Sequence, residues 1–396
     1  MDLKDVVVVS GVRTPMGSFG GSLRDMPVYE IGKHAIREAI RRADVPAGEI
    51  DEVLFGNTRQ AGNGPNTGRT AALFAGVPTS VHATTINDAC PSSMKATIIA
   101  AQMMCLEEAK IMLVGGMESM STIPFLLKGT RWEGFRMGDK VLEDGWGDSV
   151  DPVVGYGMGM TAENLVEKYG IGREEMDEFA LSSHQKAAQA QDNGWFDEEI
   201  TPVEVPARGK QPGFMFEKDE SIRRDTSLEK LGKLRAAFKK EGSVTAGNAC
   251  GMTDGACAMV MMTRDQARSR GLRPLFSLVS HASVGVDNAV MGEGPGIAIP
   301  AALQKAGMNL ADMDLIDVNE AFAAQVLANE RVLEWDRDKV NVHGGAIALG
   351  HPTGCSGARI VITLYHALKR VDRELGVASI CGGGGVSCAL IIRRET

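Results

Sequence analysis

The stretch Thr85 Ile86 Asn87 Asp88 Ala89 Cys90 Pro91 Ser92 Ser93 Met94 Lys95 decides how the chain is read. An apolar, β-branched segment leads into it, and Ala96 to Met104 follows with Ile, Ala and Met at helical spacing. That pattern predicts a strand, a sharp turn and a helix. Pro91 suits the first helical position, where no N–H is needed. Cys90 then stands at a helix N-terminus, where unpaired N–H groups and the positive end of the dipole favour a thiolate nucleophile. The other reading is a buried structural cysteine, since free Cys is among the most buried residue types.

Three further clusters weigh toward chemistry. Asn319 Glu320 Ala321 Phe322 follows the apolar run Leu315 to Val318, His351 lies in Gly350 His351 Pro352 Thr353 Gly354, and Cys381 opens Cys381 Gly382 Gly383 Gly384 Gly385. Together they read as a cysteine-based acyl-transfer site. A thioester on Cys90 requires that the thiol lose its proton, and His351, on a loop stiffened by proline and glycine, can take it. Asn319 reads either as a site residue or as the cap of a helix from Glu320 to Leu327. The glycines after Cys381 permit close backbone approach, with consecutive N–H groups suited to an oxyanion; a tight turn requiring positive φ is the alternative. His34, His82 and His184 read as structural.

Composition bounds the function. With 396 residues and 44% hydrophobic content, the chain divides into two or three domains. A net charge of −9 argues against a nucleic-acid partner. No apolar run approaches the ~18 residues that span a bilayer, and the opening Met1 to Asp5 leads straight into Val6 to Val9, so no membrane association and a cytoplasmic location are expected. The seven cysteines are scattered, without a CxxC pair, which argues against disulfides and a metal site. One segment is basic. Between Ala207 and Lys240 there are ten Lys or Arg against five acids, which suits either a phosphorylated cofactor or a solvated helical face.

In chain order, strands at Val6 to Val9, Glu52 to Phe55 and Ala109 to Val114, the last stopping at Gly115 Gly116, alternate with helices at Val28 to Ala43 and after the glycine loop Gly62 to Gly68. The fold class is α/β, mostly parallel and doubly wound. The second half repeats the order. Pairing Asn57 with Asn319, Cys90 with Cys355 and Gly115 with Gly382 gives offsets of 262, 265 and 267, which predicts two copies of one unit. Between them, Thr122 to Asn248 reads as an inserted loop domain, with helices at Ala162 to Tyr169 and Glu174 to Gln191, of the kind on which binding surfaces are built.

The four blocks around Cys90, Asn319, His351 and Cys381 resemble the signature blocks of the thiolases. The resemblance continues through Ser10 to Pro15, Gly115 to Met120, Met158 to Asn164 and Ser243 to Asn248, and so covers essentially the whole chain. It implies the thiolase fold: two duplicated βα halves with mixed, mostly parallel sheets, at 1–121 with 249–272 and at 273–396, plus a loop domain at 122–248. It also implies roles. Cys90 would carry the acyl group, His351 would activate it, and Cys381 would be acid and base at the α-carbon of a second acyl-CoA. Asn319, through a water, and His351 would hold the enolate, while the N–H groups of Cys90 and Gly383 would hold the tetrahedral oxyanion. CoA and acyl-CoA would be substrates, with no permanently bound cofactor, and would contact Arg223, Cys250, Met158 and Phe322. A homodimer or homotetramer is implied as well.

The activity so implied is acyl-CoA C-acyl transfer, making or cleaving 3-oxoacyl-CoA. A non-catalytic acyl-CoA-binding or assembly subunit with the same fold is the alternative, and the related decarboxylating ketosynthases differ in using two histidines where this chain has His351 and Cys381. Three positions depart from the family: Gly157 where a His usually precedes Met158, Cys250 where a Ser is common, and Pro91 in place of a small residue. None is a catalytic group. They bear on acyl specificity.

Overall fold

Val6–Arg13 and Ile111–Ser119 are buried at every position, the mark of strands covered on both faces. The computed structural model describes residues 2–396 and joins these runs with others into one mixed sheet. Its principal strands are β1 (Val6–Arg13), β2 (Glu52–Gly56), β3 (His82–Ile86), β4 (Ile111–Ser119), β5 (Thr253–Thr263), β6 (Phe276–Gly285), β7 (Leu315–Val318), β8 (Leu375–Gly382) and β9 (Val386–Arg394). The main helices are α1 (Val28–Ala43), α2 (Thr67–Ala75), α3 (Ser92–Cys105), α4 (Met158–Tyr169), α5 (Arg173–Asp192), α6 (Gly294–Ala306), α7 (Ala323–Leu333) and α8 (Thr353–Arg370).

Strand order is β7-β8-β9-β6-β1-β5-β4-β2-β3. Within each half all strands but one run the same way, β5 and β9 being the exceptions. The two halves join edge to edge at β1 and β6, through Val7 and Val8. They then close over a shared helix layer: α3 packs on β2, β4 and β9, while α8 packs on strands of both halves. Helices α1 and α2 cover the outside of the first half, and α6 the outside of the second. α8 is buried at fourteen of its eighteen positions, which is why its sequence Ile360 Val361 Ile362 is apolar all round.

The halves repeat in detail. β1 and β6 each carry a bulge near the start, at Val9 and Val279, and β3 has its counterpart in a single parallel bridge from Ile316 to Val340. The register also corrects two of the three pairings expected from sequence. Gly56 faces Gly116 and Val318 faces Ser379, so with Asn57 matched to Asn319, Gly115 matches Ala378 and the counterpart of Cys381 is Glu118. Pro91 and Pro352 are the cap residues of α3 and α8, so the counterpart of Cys90 is His351 and Cys355 lies inside α8. β4 does not stop at Gly115 Gly116 either. Both glycines sit within the strand, and a Cβ on Gly116 would lie 2.0 Å from the Gly354 carbonyl oxygen, so glycine here lets α8 press onto the sheet.

Candidate active site

The first turns of α3 and α8 touch. Ser93 Oγ donates to the Cys355 carbonyl at 2.9 Å and accepts the Ala358 N–H at 2.9 Å. The residues just ahead of the two caps, Cys90 and His351, are thereby delivered to the same end of the helix layer.

Cys90 is held by a strained turn. Ala89 has φ of +51°, in the left-handed region that costs a non-glycine residue on the order of 1 kcal/mol. Ser92 compensates: its Oγ accepts the Asp88 N–H at 2.9 Å and donates to the Ala89 carbonyl at 2.5 Å. Pro91 sits at the cap rather than inside the helix, so Cys90 stands one residue further out than the sequence suggested. Burial pushes the Cys90 thiol up to about 11, outweighing the Gly383 N–H that donates to its sulfur and the charge of Arg59.

Three thiols share this place. Cys381, at the end of β8, and Cys250 are near enough to Cys90 that a charge on one opposes a charge on the others, and burial raises all three. A Cβ on Gly382 would lie 2.5 Å from Pro91 Cδ and 3.2 Å from the Cys90 nitrogen, so the strand end and the Cys90 turn are in contact. The residues Cys381 and Gly382 belong to β8, and the tight turn is made by Gly384 and Gly385, both at positive φ.

His351 is fixed on three sides. Its N–H is shared by the Gly251 carbonyl and Thr253 Oγ1, at 3.1 and 3.0 Å. Gly350 before it has φ of +98°, and a Cβ there would collide with Thr253 Oγ1 at 2.1 Å, so only glycine fits. Nδ1 is 2.7 Å from Ser356 Oγ, which itself donates to the Pro352 carbonyl at 3.0 Å. That assigns the ring proton to Nδ1 and leaves Nε2 with a lone pair. Nε2 is buried without a protein partner, and burial, helped by Arg359, depresses the imidazole pKa to about 3.

Asn319 is the second unpartnered group. It follows β7 directly, its N–H donates to the Ser379 carbonyl at 3.0 Å, and both Oδ1 and Nδ2 are buried with no hydrogen bond. It is not a helix cap, because α7 begins at Ala323 after Phe322. Its counterpart Asn57 makes the contrast plain: Asn57 Oδ1 accepts from Thr67 and Nδ2 donates to Glu118. Buried polar atoms are nearly always paired, so the free amide of Asn319 and the free Nε2 of His351 are exceptions that call for an explanation.

Residues 6–265 match the family described as thiolase, N-terminal domain, and residues 272–394 match thiolase, C-terminal domain. The chain belongs to the thiolase family. It is 47% identical to an acetyl-CoA acetyltransferase of Pseudomonas aeruginosa, with 99% of this chain and all of the relative covered. It resembles the crystal structure of the Bacillus anthracis acetyl-CoA acetyltransferase with a TM-score of 0.96 at 45% identity, covering 99% of each chain. It also resembles human mitochondrial 3-ketoacyl-CoA thiolase in complex with CoA, with a TM-score of 0.95 at 42% identity, covering 100% of this chain and 99% of that one. This thiolase is an acyl-CoA C-acyltransferase.

The neighbours of the thiols in this thiolase include apolar side chains. Met158, at the start of α4, lies against Gly383, and the Phe322 ring meets Phe238 edge-on at 6.0 Å. The Cys250 N–H donates to the Ala321 carbonyl at 3.1 Å, which puts Cys250 on the same wall. Arg223 stands apart. It is exposed, and its backbone N–H donates to His184 Nδ1 at 3.1 Å. The basic segment around it is mostly irregular rather than one helical face, and Arg208, Arg224, Lys230, Lys233 and Lys239 are each paired with a carboxylate. Among the described residues no helix is long and apolar enough to cross a membrane, and no group of three side chains suits a metal ion.

Sequence reasoning gave no role to Glu118, Ser356 or Glu320. Glu118 is fully buried and accepts from Asn57 Nδ2, the Arg59 N–H, Thr353 Oγ1 and the Gly354 N–H at 2.7 to 3.0 Å, and from the N–H and hydroxyl of Thr58. It ties the loop after β2 to the start of α8. Glu320, whose pKa burial raises, accepts from Ser183 Oγ at 2.6 Å, Asn341 Nδ2 at 2.9 Å and the Ile347 N–H at 3.1 Å, anchoring the loop that leads to His351. The signal available was an acid within an otherwise apolar or small-residue run, which a buried, paired carboxylate explains.

A pH series tests the resting state. With burial holding the thiol neutral, the thiolate fraction grows about tenfold per pH unit below its pKa. Alkylation of Cys90 by iodoacetamide, followed by peptide mass spectrometry, therefore rises steadily from pH 6 through pH 9. A plateau at neutral pH would show a standing thiolate–imidazolium pair instead.

Proposed function

We propose that this thiolase makes or cleaves 3-oxoacyl-CoA through an acyl-Cys90 intermediate, with the roles divided among Cys90, His351, Asn319, Cys381 and Gly383. The observation that carries the reading is the pair of buried, unpartnered groups, His351 Nε2 and the Asn319 amide, on segments tied by backbone hydrogen bonds to the Cys250 stretch that neighbours the other two thiols.

In the condensing direction, Cys90 sulfur attacks the carbonyl of one acyl-CoA as its proton passes to His351 Nε2. The N–H groups of Cys90 and Gly383 hold the tetrahedral oxyanion. The C–S bond to CoA then breaks, and Cys381 gives its proton to the leaving thiolate. Cys381, now a thiolate, removes the α-proton of a second acyl-CoA. The enolate oxygen meets the Nε2–H of charged His351 and, through a water, Asn319. The enolate carbon attacks the acyl-Cys90 carbonyl, Cys90 leaves as thiolate, and His351 returns the proton. Two acyl-CoA become one 3-oxoacyl-CoA and one CoA. A single Cys–His pair cannot complete this cycle, because Cys90 is acylated when the α-proton must be removed.

The loop domain at 122–248 is read as the CoA-binding and assembly region, between halves at 1–121 with 249–272 and at 273–396. CoA would pass Met158, Cys250 and Phe322, with Arg223 at its phosphorylated end. A homodimer or homotetramer accounts for the solvent-facing apolar side chains of that region, among them Trp132 at 90% exposure, Phe135 at 79% and Met137 fully exposed. A cytoplasmic location suits seven free cysteines.

The test is CoA-dependent thiolysis of a ladder of 3-oxoacyl-CoA substrates, from acetoacetyl upward with branched and aromatic members. Cleavage of at least one is expected, and failure across the ladder by folded protein would favour a binding or assembly subunit. Gly157 adds a second readout. A Cβ there has only the Ser149 carbonyl within 4 Å, at 3.7 Å, so the position leaves room at the start of α4. Gly157→His is expected to shift preference toward shorter acyl chains by about tenfold in kcat/KM, the scale of one or two methylenes in an apolar pocket. An unmoved preference would remove Gly157 from the acyl pocket.

A further inference from the structure

The seam between the half-sheets opens at its far end. β1 and β6 are hydrogen-bonded only at Val7 and Val8, and the chain at 199–201 takes over the edge of β1 at Arg13. Between these two pairings, Val9 to Gly11 form the floor of a cleft of about 410 Å³. Arg41 and Arg42 from the end of α1 wall one side, with Tyr365, His366 and Lys369 from the end of α8 on the other. That volume lies within the ~300–1,000 Å³ of small-molecule sites. The mechanism uses none of these residues. α8 is about 27 Å long at 1.5 Å per residue, and His351 precedes its opposite end.

Charge and hydrogen bonding at the cleft point the same way. Three cations, Arg41, Arg42 and Lys369, stand at the cleft against two carboxylates, Glu198 and Glu38, a local positive excess in a chain whose net charge is −9. Arg42 spends its guanidinium on Glu38 and on the carbonyls of Glu198 and Ile200, and Arg41 binds Glu38 with Nε and Nη2. Lys369 has one partner, Glu198 Oε2 at 2.5 Å, and that carboxylate is 65% exposed, easily released to solvent. His366 lies at the same wall. Its side chain is nine-tenths buried, Nδ1 lies 3.8 Å from Glu198 Oε2, and Nε2 has no hydrogen-bond partner. Cations at helix C-termini are ordinary complements of the helix dipole, but that role calls for neither a cleft nor a buried, unpartnered imidazole.

We propose that this cleft binds the phosphate or diphosphate group of a small phosphorylated metabolite, with Tyr365 and Leu275 packing against its organic part. Guanidinium and ammonium groups supply the fixed positive charge that such anions require. His366 lines the same wall with its side chain nine-tenths buried, where the charge of a bound anion favours the protonated ring.

Inorganic pyrophosphate is the probe, titrated calorimetrically into the full-length protein at constant ionic strength. Saturable binding with Kd of about 1 mM or tighter is expected. The Arg41→Ala, Lys369→Ala double variant should weaken it by at least about tenfold while thiolysis stays within about twofold of the unchanged protein. His366→Phe, which keeps the ring volume and removes Nε2, should weaken it as well, and it serves alone if the double variant misfolds. Arg223→Ala should leave it unchanged. No saturable binding, or equal Kd in the unchanged protein and the cleft variants, overturns the proposal. Because pyrophosphate binding and thiolysis are read separately, failure of one leaves the other standing.

Discussion

Alanine in place of Cys90 yields a folded protein that forms no acyl-enzyme. The side chain is partly buried and small, so its loss removes one thiol from the edge of the central core, at a cost of about 1 kcal/mol. Melting and far-UV circular dichroism should therefore stay close to those of the unchanged protein. Thiolysis, by contrast, should fall by a factor on the order of 10⁴ or more, as when a covalent nucleophile is removed from an acyl-transfer site. Intact-protein mass spectrometry after incubation with acyl-CoA is the direct readout: an acyl mass increment in the unchanged protein and none in the variant. A persistent increment would assign the acyl group to Cys250 or Cys381, the two thiols beside it.

Removing the Glu118 carboxylate should have the largest effect on stability. Glu118→Ala strands the buried Gly354 N–H and the part-buried Thr58 and Arg59 N–H groups that now donate to it. Each buried donor left unpaired costs about 1–3 kcal/mol, so a loss of roughly 3–6 kcal/mol is expected by denaturant titration. Glu118→Gln separates charge from shape. It keeps the volume and one acceptor oxygen but turns an NH₂ toward donors at the start of α8, and it should cost about 2 kcal/mol. Activity should fall in the glutamine variant beyond its loss of stability, because α8 carries the loop of His351. Unchanged kcat in Glu118→Gln would show that the loop keeps its place without the charge.

Much of this was legible in the sequence, for identifiable reasons. The boundaries of α1 and β7 follow from clean periodicity and flanking turn residues, and the four signature blocks drew Cys90, Asn319, His351 and Cys381 together before any geometry was known. Failures cluster where glycine or burial has two meanings. Gly115 Gly116 read as the end of a strand, yet these residues are its middle, because glycine also permits close backbone approach. Cys90 read either as a thiolate nucleophile or as a buried structural cysteine, and spacing says nothing of the desolvation that raises its thiol. Glu118 passed unnoticed because its importance lies in contacts with the far-off pair Thr353 and Gly354. Paired offsets located the repeat to within one helical turn and no better, since register across strands is not written in spacing alone.

The repeat itself has a consequence. Asn57, Cys90 and Glu118 in the first half correspond to Asn319, His351 and Cys381 in the second, yet their fates diverge. Asn57 and Glu118 are consumed by a bond to each other, while Asn319 keeps its amide free. Under the proposed roles the first unit lends the nucleophile and the second most of the proton handling, so the site is a broken symmetry that exists only where the two units are docked.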